Sequence, residues 1–166
     1  MGEPISIENY VENIQKLLTS PKLSESEAKE LGKLLRLSTV KTYEPGEVII
    51  QQGEMDPYVY FLLSGRVRVE KDGEELGLMD RPGEIFGEMR ILDGLARSAT
   101  VSAEKRTVCM SVNTAMATRS FSSDERANIL LLLYRICTEY LAIRLRLSND
   151  ELVKTKKALK ELAAPE

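Results

Sequence analysis

The middle of the chain alternates apolar and polar residues with a period of two, as β-strands do. Residues 66–71 alternate strictly, and Asp72-Gly73 follows them as a two-residue hairpin signal. Further short strand-like segments recur along this region: 48–50, the continuously apolar 58–63, 74–78, 99–103 and 108–112. Glycine-containing turns separate them, except between the last two. Several short strands at this spacing predict a closed barrel or a jelly roll.

Helical periodicity precedes the β region. Apolar residues in segment 7–18 recur at helical spacing, and Ser20-Pro21 interrupts the pattern. Ser24 and Glu27 then form a capping box, which predicts a second helix ending near Leu37. We therefore expect an N-terminal helical segment over residues 1–37.

The last third of the chain predicts one long helix, since residues 95–164 contain neither glycine nor proline. Ser122 and Glu125 form a capping box at its start, and an unbroken helix over 123–162 would extend about 60 Å. Ser148 and Glu151 also fit a capping box, so a break there stays open. Two apolar stripes follow the helix. The first is Ile129, Leu133, Ile136, Tyr140, Ile143 and Leu147; the second is Leu130, Tyr134, Cys137, Leu141, Leu145, Leu152, Leu159 and Leu162.

Composition limits the classes of function. The 166 residues carry a net charge of −3 with a pI near 5.3, which disfavours nucleic acid and anionic lipid as partners. No signal peptide is evident, and no apolar run approaches the roughly 20 residues that span a bilayer. Cys109 and Cys137 lie among apolar residues, as reduced thiols do. We expect a cytoplasmic protein without a membrane partner.

Histidine is absent, which removes the commonest general base and a usual metal ligand. The motifs of nucleophilic hydrolases and zinc proteases are absent too. An enzyme built on acids alone stays possible, while a jelly-roll metalloenzyme is strongly disfavoured. The sequence therefore predicts a protein without catalytic residues, resident cofactor or metal site.

Segment 84–101 combines strand and helix patterns. A strand ends at Phe86, and Gly87 would let the backbone approach a ligand closely. A single helical turn then begins, whose free N–H groups suit an anion. Arg97 presents a planar fork for two phosphate oxygens, and Glu88 could accept a hydrogen bond from a sugar hydroxyl. Taken singly, each of these residues is more typical of a solvated surface than of a ligand site.

The whole segment resembles the phosphate-binding cassette of the cyclic-nucleotide-binding family. Phe86-Gly87-Glu88, a short helical stretch and Arg97-Ser98-Ala99-Thr100-Val101 match its order, and Glu88 and Arg97 are nine residues apart as in the family. Segments 43–54 and 60–69 resemble the family's first strands and hairpin. The resemblance implies an α+β, mainly β fold: an eight-stranded β jelly-roll barrel over 38–113, with N-terminal helices and a long C-terminal hinge helix over 114–166.

The resemblance also implies the site. Arg97 would pair with the cyclic phosphate of cAMP or cGMP, and Glu88 would hold the ribose 2′-hydroxyl. The remaining phosphate contacts would come from Gly87, Met89, Arg90 and Ser98, and the base contacts from Val69 and Leu76. Arg90 replaces a small residue of the family, and it is either solvent-facing or a second cation near the phosphate. Ser98, where members that prefer guanine often have threonine, slightly favours cAMP.

These expectations describe a non-enzymatic cyclic-nucleotide sensor that signals through its C-terminal helix. One stripe of that helix would pack on the β region and the other on a second copy, which predicts a homodimer of moderate affinity. Fewer than 20 residues follow Leu147, too few for the helix-turn-helix of the family's DNA-binding members, so we expect no DNA partner. The alternative is a vestigial fold that serves as a dimerisation or interaction scaffold.

Overall fold

A computed structural model describes residues 24–119 and 121–163, and the helix expected over 7–18 lies outside them. The described chain begins with helix α1 (Glu25–Arg36). The eight strands are β1 (Ser38–Tyr43), β2 (Val48–Ile50), β3 (Tyr58–Ser64), β4 (Val67–Lys71), β5 (Glu74–Met79), β6 (Ile85–Phe86), β7 (Thr100–Ala103) and β8 (Thr107–Asn113). The other helices are α2 (Met89–Asp93), α3 (Thr114–Arg119) and α4 (Ser123–Leu162).

The strands form two four-stranded antiparallel sheets, in the orders β1-β8-β3-β6 and β2-β7-β4-β5. Apolar side chains such as Leu62, Val67 and Cys109 fill the space between them. The predicted jelly roll of eight strands is confirmed. The expected closed barrel is wrong, because each sheet keeps two edge strands instead of pairing with the other sheet.

The hairpin turn and the helix caps form where the residue types predict them. Asp72 and Gly73 both have positive φ, 53° and 83°, as the tight hairpin between β4 and β5 requires. At α1, the Ser24 hydroxyl accepts a hydrogen bond from the Glu27 N–H, and the Glu27 carboxylate accepts one from the Ser24 N–H. The capping box predicted at Ser122 is also present. These local contacts fix where the hairpin and both helices begin.

Helix α4 is continuous over 40 residues, so no break occurs at Ser148. Its first half packs on the outer face of the β1-β8-β3-β6 sheet and against α1, with a buried face of Ile129, Leu132, Leu133, Ile136 and Cys137. Cys137 therefore belongs to the core and not to an exposed second stripe. Beyond Arg144 every described residue of α4 is exposed. No helix within the described ranges is long and apolar enough to cross a membrane.

Candidate functional site

A cavity opens on the β2-β7-β4-β5 sheet where β6 ends and α2 begins. Its wall contains all eight residues that the sequence predicted for a ligand: Val69, Leu76, Gly87, Glu88, Met89, Arg90, Arg97 and Ser98. The other lining residues were not predicted as ligand contacts: Phe86, Ala99 and Val101 belong to the segment that the sequence singled out, whereas Ile50, Met79 and Arg144 lie outside it. Residues that are up to 94 positions apart thus converge on one site, and the apolar ones form a wall beside a charged end.

Gly87 is the hinge between β6 and α2. Its φ of +80° lies in the left-handed region, which side chains other than glycine's rarely adopt. A Cβ at this position would lie 2.7 Å from Nη1 of Arg97 and 3.0 Å from Cδ1 of Ile50. Glycine is therefore needed twice, once for the turn and once for the close approach of the Arg97 side chain.

Arg97 is buried, with an exposed fraction of 4%, and its guanidinium is held on three sides. Nε and Nη2 donate to the two carboxylate oxygens of Asp56, at 3.0 and 2.5 Å. Nη2 also donates to the carbonyl of Tyr58 and Nη1 to the carbonyl of Gly87, both at 2.6 Å. A guanidinium has five N–H groups, so one on Nη1 has no acceptor within the described residues. The arrangement presents an oriented cation with a spare donor at the cavity wall.

Asp56 is a site residue that sequence reasoning missed. It lies 41 positions before Arg97 in the β2–β3 loop, and its bidentate contact gives the guanidinium its orientation. Desolvation raises the pKa of Asp56, but the hydrogen bonds and the charge of Arg97 outweigh it and hold the pKa below its ordinary value. A loop aspartate beside proline carries no local signal for such a role, because only the fold brings it to Arg97.

Glu88 is also buried, with an exposed fraction of 2%, and it lines the cavity directly before α2. Its nearest cation is Arg144 of α4, whose Nη1 lies 3.7 Å from Oε1 of Glu88. Burial raises the pKa of Glu88 above its ordinary value; a hydrogen bond from its own backbone and the positive charges of Arg144 and Arg97 only partly offset this. The carboxylate is therefore poorly solvated. A ligand hydroxyl that donates a hydrogen bond to it would replace the missing water.

Arg90 was expected to face either solvent or a bound phosphate. The structure places it, half-buried, at the cavity wall, where its guanidinium donates to three backbone carbonyls. Nε donates to Asp56, and Nη1 donates to Gly94 and Leu95. Arg90 therefore ties the loop after α2 to the β2–β3 loop that carries Asp56.

The buried charge of Glu88 predicts a gain in stability on its removal. Glu88→Gln should raise the Tm of the ligand-free protein at pH 7, because a neutral amide avoids the desolvation of an ionised carboxylate. The gain should shrink as the pH falls through the raised folded-state pKa and disappear below the ordinary value near 4.5, where wild type is also neutral. Thermal melts from pH 4 to pH 8 measure it. Exposed Glu74→Gln is the control, and a gain independent of pH would contradict the explanation.

The sequence profile of the cyclic nucleotide-binding domain matches residues 40–123. This chain belongs to the cyclic nucleotide-binding domain family. The match includes the whole cavity wall except Arg144, and it contains both Asp56 and Arg97. Segment 86–101, which the sequence singled out, lies within this match and supplies most of the cavity wall.

Individual relatives agree with this assignment. A "cGMP-dependent protein kinase" of Eimeria tenella is 36% identical over 110 residues, which are 65% of this chain and 11% of that protein. A "cAMP-dependent protein kinase regulatory subunit" of Debaryomyces hansenii is 36% identical over 81 residues, 49% of this chain and 18% of that one. This chain therefore spans between a tenth and a fifth of these relatives. A cyclic nucleotide-binding domain of Methylobacillus flagellatus shares the fold, with a TM-score of 0.68, 21% identity and coverage of 89% and 85%.

Proposed function

We propose that this chain binds a cyclic nucleoside monophosphate in the cavity and acts as a non-enzymatic sensor. The observation that carries the proposal is the buried Arg97, held by Asp56 with a spare N–H, on the same cavity wall as the buried carboxylate of Glu88. The cation suits the cyclic phosphate and the carboxylate suits the ribose 2′-hydroxyl. Val69 and Leu76 would contact the base. Membership of the cyclic nucleotide-binding family supports the same ligand class.

The charge balance supports an anion carrying one negative charge. Three cations, Arg90, Arg97 and Arg144, and two carboxylates, Asp56 and Glu88, lie at the cavity or contact its wall. With both carboxylates ionised the site has one net positive charge. A cyclic phosphodiester carries one negative charge, whereas the phosphate of an open 5′-monophosphate carries up to two. We therefore expect the cyclic form to be preferred.

Isothermal calorimetry on nucleotide-stripped protein tests the proposal with cAMP, cGMP and 5′-AMP. We expect saturable one-to-one binding of at least one cyclic nucleotide and much weaker binding of 5′-AMP. Ser98 gives cAMP a slight preference, which direct competition with cGMP measures. A 2′-deoxy analogue should bind less tightly, because Glu88 would lose its donor. If no cyclic nucleotide binds, the sensor proposal fails and the scaffold alternative takes its place.

Helix α4 is proposed as the output. Arg144, which precedes the fully exposed part of α4, reaches back to Glu88, the residue that would accept from the ribose. A ribose hydroxyl at Glu88 changes the partners of that carboxylate, so ligand-bound and ligand-free states differ in how strongly they hold Arg144. A ligand can move part of a protein only through such a difference in interaction energy between two states. The difference at Arg144 can therefore shift the position of α4.

Arg144→Ala should uncouple α4 from the pocket. In wild type, we expect cyclic nucleotide to change backbone hydrogen exchange around residues 140–148. The variant should lose most of this change. Its affinity for the nucleotide should shift by less than about tenfold. The affinity limit follows from the exposure of Arg144, because water screens the charge of a side chain that is 41% exposed. Exposed Arg146→Ala is the neighbouring control. An unchanged exchange response in Arg144→Ala would contradict this route.

A further inference from the structure

The side chain of Met89 places a thioether sulfur at the proposed ligand site. Met89 lies in the cavity wall and is 47% exposed. Met79 also lines the wall but is buried, and Met110 belongs to the core. Met55 and Met116 are 59% and 55% exposed, but neither is part of the wall. Among the methionines that the structure describes, only Met89 is therefore both exposed to a reagent in solution and part of the cavity.

The two cysteines do not compete with Met89 for an oxidant. Cys109 and Cys137 are buried, and this burial is the main cause that raises the pKa of each thiol to about 12. Peroxides react with the thiolate form of cysteine, which hardly forms at pH 7 when the pKa is so high. A thioether has no proton to lose, so its reaction with a peroxide depends on exposure.

A hydroxyl group of the proposed phosphate site already contacts the sulfur. Oγ of Ser98 donates to Sδ of Met89 over 3.6 Å, and Ser98 lies in the same cavity wall. A serine hydroxyl has one proton to donate, and a thioether sulfur is a weak acceptor. The charged oxygen of a cyclic phosphate is a stronger acceptor, so a bound nucleotide would take this hydrogen bond from Met89.

A sulfoxide at Met89 would remove the advantage of the phosphate. Oxidation converts the flexible apolar side chain into a polar one whose oxygen is a strong hydrogen-bond acceptor. The Ser98 hydroxyl can donate only one hydrogen bond, so the sulfoxide oxygen and the phosphate would compete for it. The nucleotide would then bind without the full contribution of Ser98.

We infer that Met89 is a reversible oxidation site, at which a peroxide lowers the affinity of the cavity for cyclic nucleotide. The inference rests on the proposed function and adds a means of regulating it. Hydrogen peroxide transfers one oxygen atom to the sulfur: the O–O bond breaks, an S–O bond forms, the thioether loses two electrons and water leaves. A methionine sulfoxide reductase with a dithiol reverses the step: the oxygen leaves as water and the dithiol becomes a disulfide.

Protection by the ligand tests the place of the sulfur. Without nucleotide, limited hydrogen peroxide should oxidise Met89 about as fast as Met55 and Met116, because their exposed fractions are similar. Saturating cAMP or cGMP should slow the oxidation of Met89 at least about threefold and leave the other two unchanged, because binding and oxidation oppose each other reciprocally. Peptide mass spectrometry measures the three rates. A rate at Met89 that no bound nucleotide changes would overturn the inference.

Calorimetry on peroxide-treated protein tests the effect on affinity. Treatment should weaken cyclic-nucleotide binding by wild type about three- to tenfold, the range expected for one weakened hydrogen bond. The reductase with dithiothreitol should restore the affinity. Met89→Leu is compared with its own untreated form, and treatment should leave its affinity unchanged. Met55→Leu is the matched control, because it keeps Met89 and should lose affinity as wild type does.

Ser98→Ala tests the route from the sulfoxide to the ligand. This variant lacks the hydroxyl for which sulfoxide and phosphate compete, so peroxide treatment should weaken its binding by less than about twofold relative to its untreated form. A loss as large as that of wild type would overturn the exchange of hydrogen bonds on which the inference rests.

The same measurements separate this inference from the proposed function. If untreated wild type binds cyclic nucleotide and the sulfoxide form binds it equally well, only the oxidation site is refuted. An equal loss of affinity in wild type and Met89→Leu also refutes it, because the damage then lies elsewhere. If untreated wild type binds no cyclic nucleotide, the sensor function is refuted and the inference falls with it.

Discussion

Replacing Arg97 with alanine is expected to weaken cyclic-nucleotide binding by roughly tenfold to a hundredfold or more. A charge-assisted hydrogen-bond partner contributes about 1.5–3 kcal/mol, and about 1.4 kcal/mol corresponds to a factor of ten. The effect is expected to lie at the upper end, because Arg97 is buried and already oriented by Asp56, so binding requires no ordering of its side chain. Calorimetric titration with cAMP and cGMP measures it.

The same substitution removes four hydrogen bonds within the protein, so folding has to be measured beside binding. Arg97→Ala should lower the Tm, but Asp56 is partly exposed and water can replace its partner. Arg97→Lys keeps the charge without the planar fork and should fall between wild type and alanine in affinity. Arg81→Ala is the control for loss of one cation, because Arg81 is exposed and is not part of the cavity wall. A variant that is destabilised but binds cyclic nucleotide with wild-type affinity would show that the hydrogen bonds of Arg97 have a purely structural role.

The sequence predicted the cassette because its residues are contiguous. Gly87, Glu88 and Arg97 lie within eleven positions, and the chain between them is short enough for local turn chemistry to bring them together. Asp56 and Arg144 belong to distant segments, and each has a residue type that is commonest on a solvated surface. Their roles depend on how the β2–β3 loop and α4 pack, and neither periodicity nor spacing within the cassette contains that information.

The fold was predictable where one face of a helix or strand is buried and the other is exposed to solvent. Helix α1 satisfies this condition with its buried Leu31, Leu34 and Leu35 and appears at the expected place. Strand β4 also appears at the expected place, because its residues alternate strictly and a hairpin signal follows them. Strand β1 was not recognised from its pattern, since four of its six residues are exposed. The strand order within the two sheets of the jelly roll was not predicted, because alternation marks which face is buried and not which edges pair. The continuity of α4 past Ser148 shows that a capping pattern does not by itself end a helix.

Gly87→Ala tests whether the backbone turn itself positions the cation. A left-handed conformation costs alanine about 1–2 kcal/mol, and the new Cβ would meet Nη1 of Arg97 at 2.7 Å and Cδ1 of Ile50 at 3.0 Å. The ends of both side chains can move, and the backbone carbonyl of Tyr58, 3.2 Å from the new Cβ, has to give by only a few tenths of an ångström, so the protein should fold. The guanidinium is then displaced from the carbonyl of Gly87 and from its alignment with Asp56.

Gly94→Ala is a closely matched control for this substitution. Gly94 also has a positive φ, +71°, but a Cβ there has no heavy atom within 4 Å. The backbone strain of the Gly94→Ala variant should lower the Tm by about 2–8 °C and leave nucleotide affinity within about threefold of wild type. Gly87→Ala should lower the Tm further and weaken binding at least about tenfold, in the range of Arg97→Ala. The double variant Gly87→Ala with Arg97→Ala should bind the nucleotide about as tightly as Arg97→Ala alone, because both changes remove the same contact, that of the Arg97 guanidinium with the ligand. Equal affinity losses in the two glycine variants would show instead that general strain, and not the position of Arg97, weakens the site.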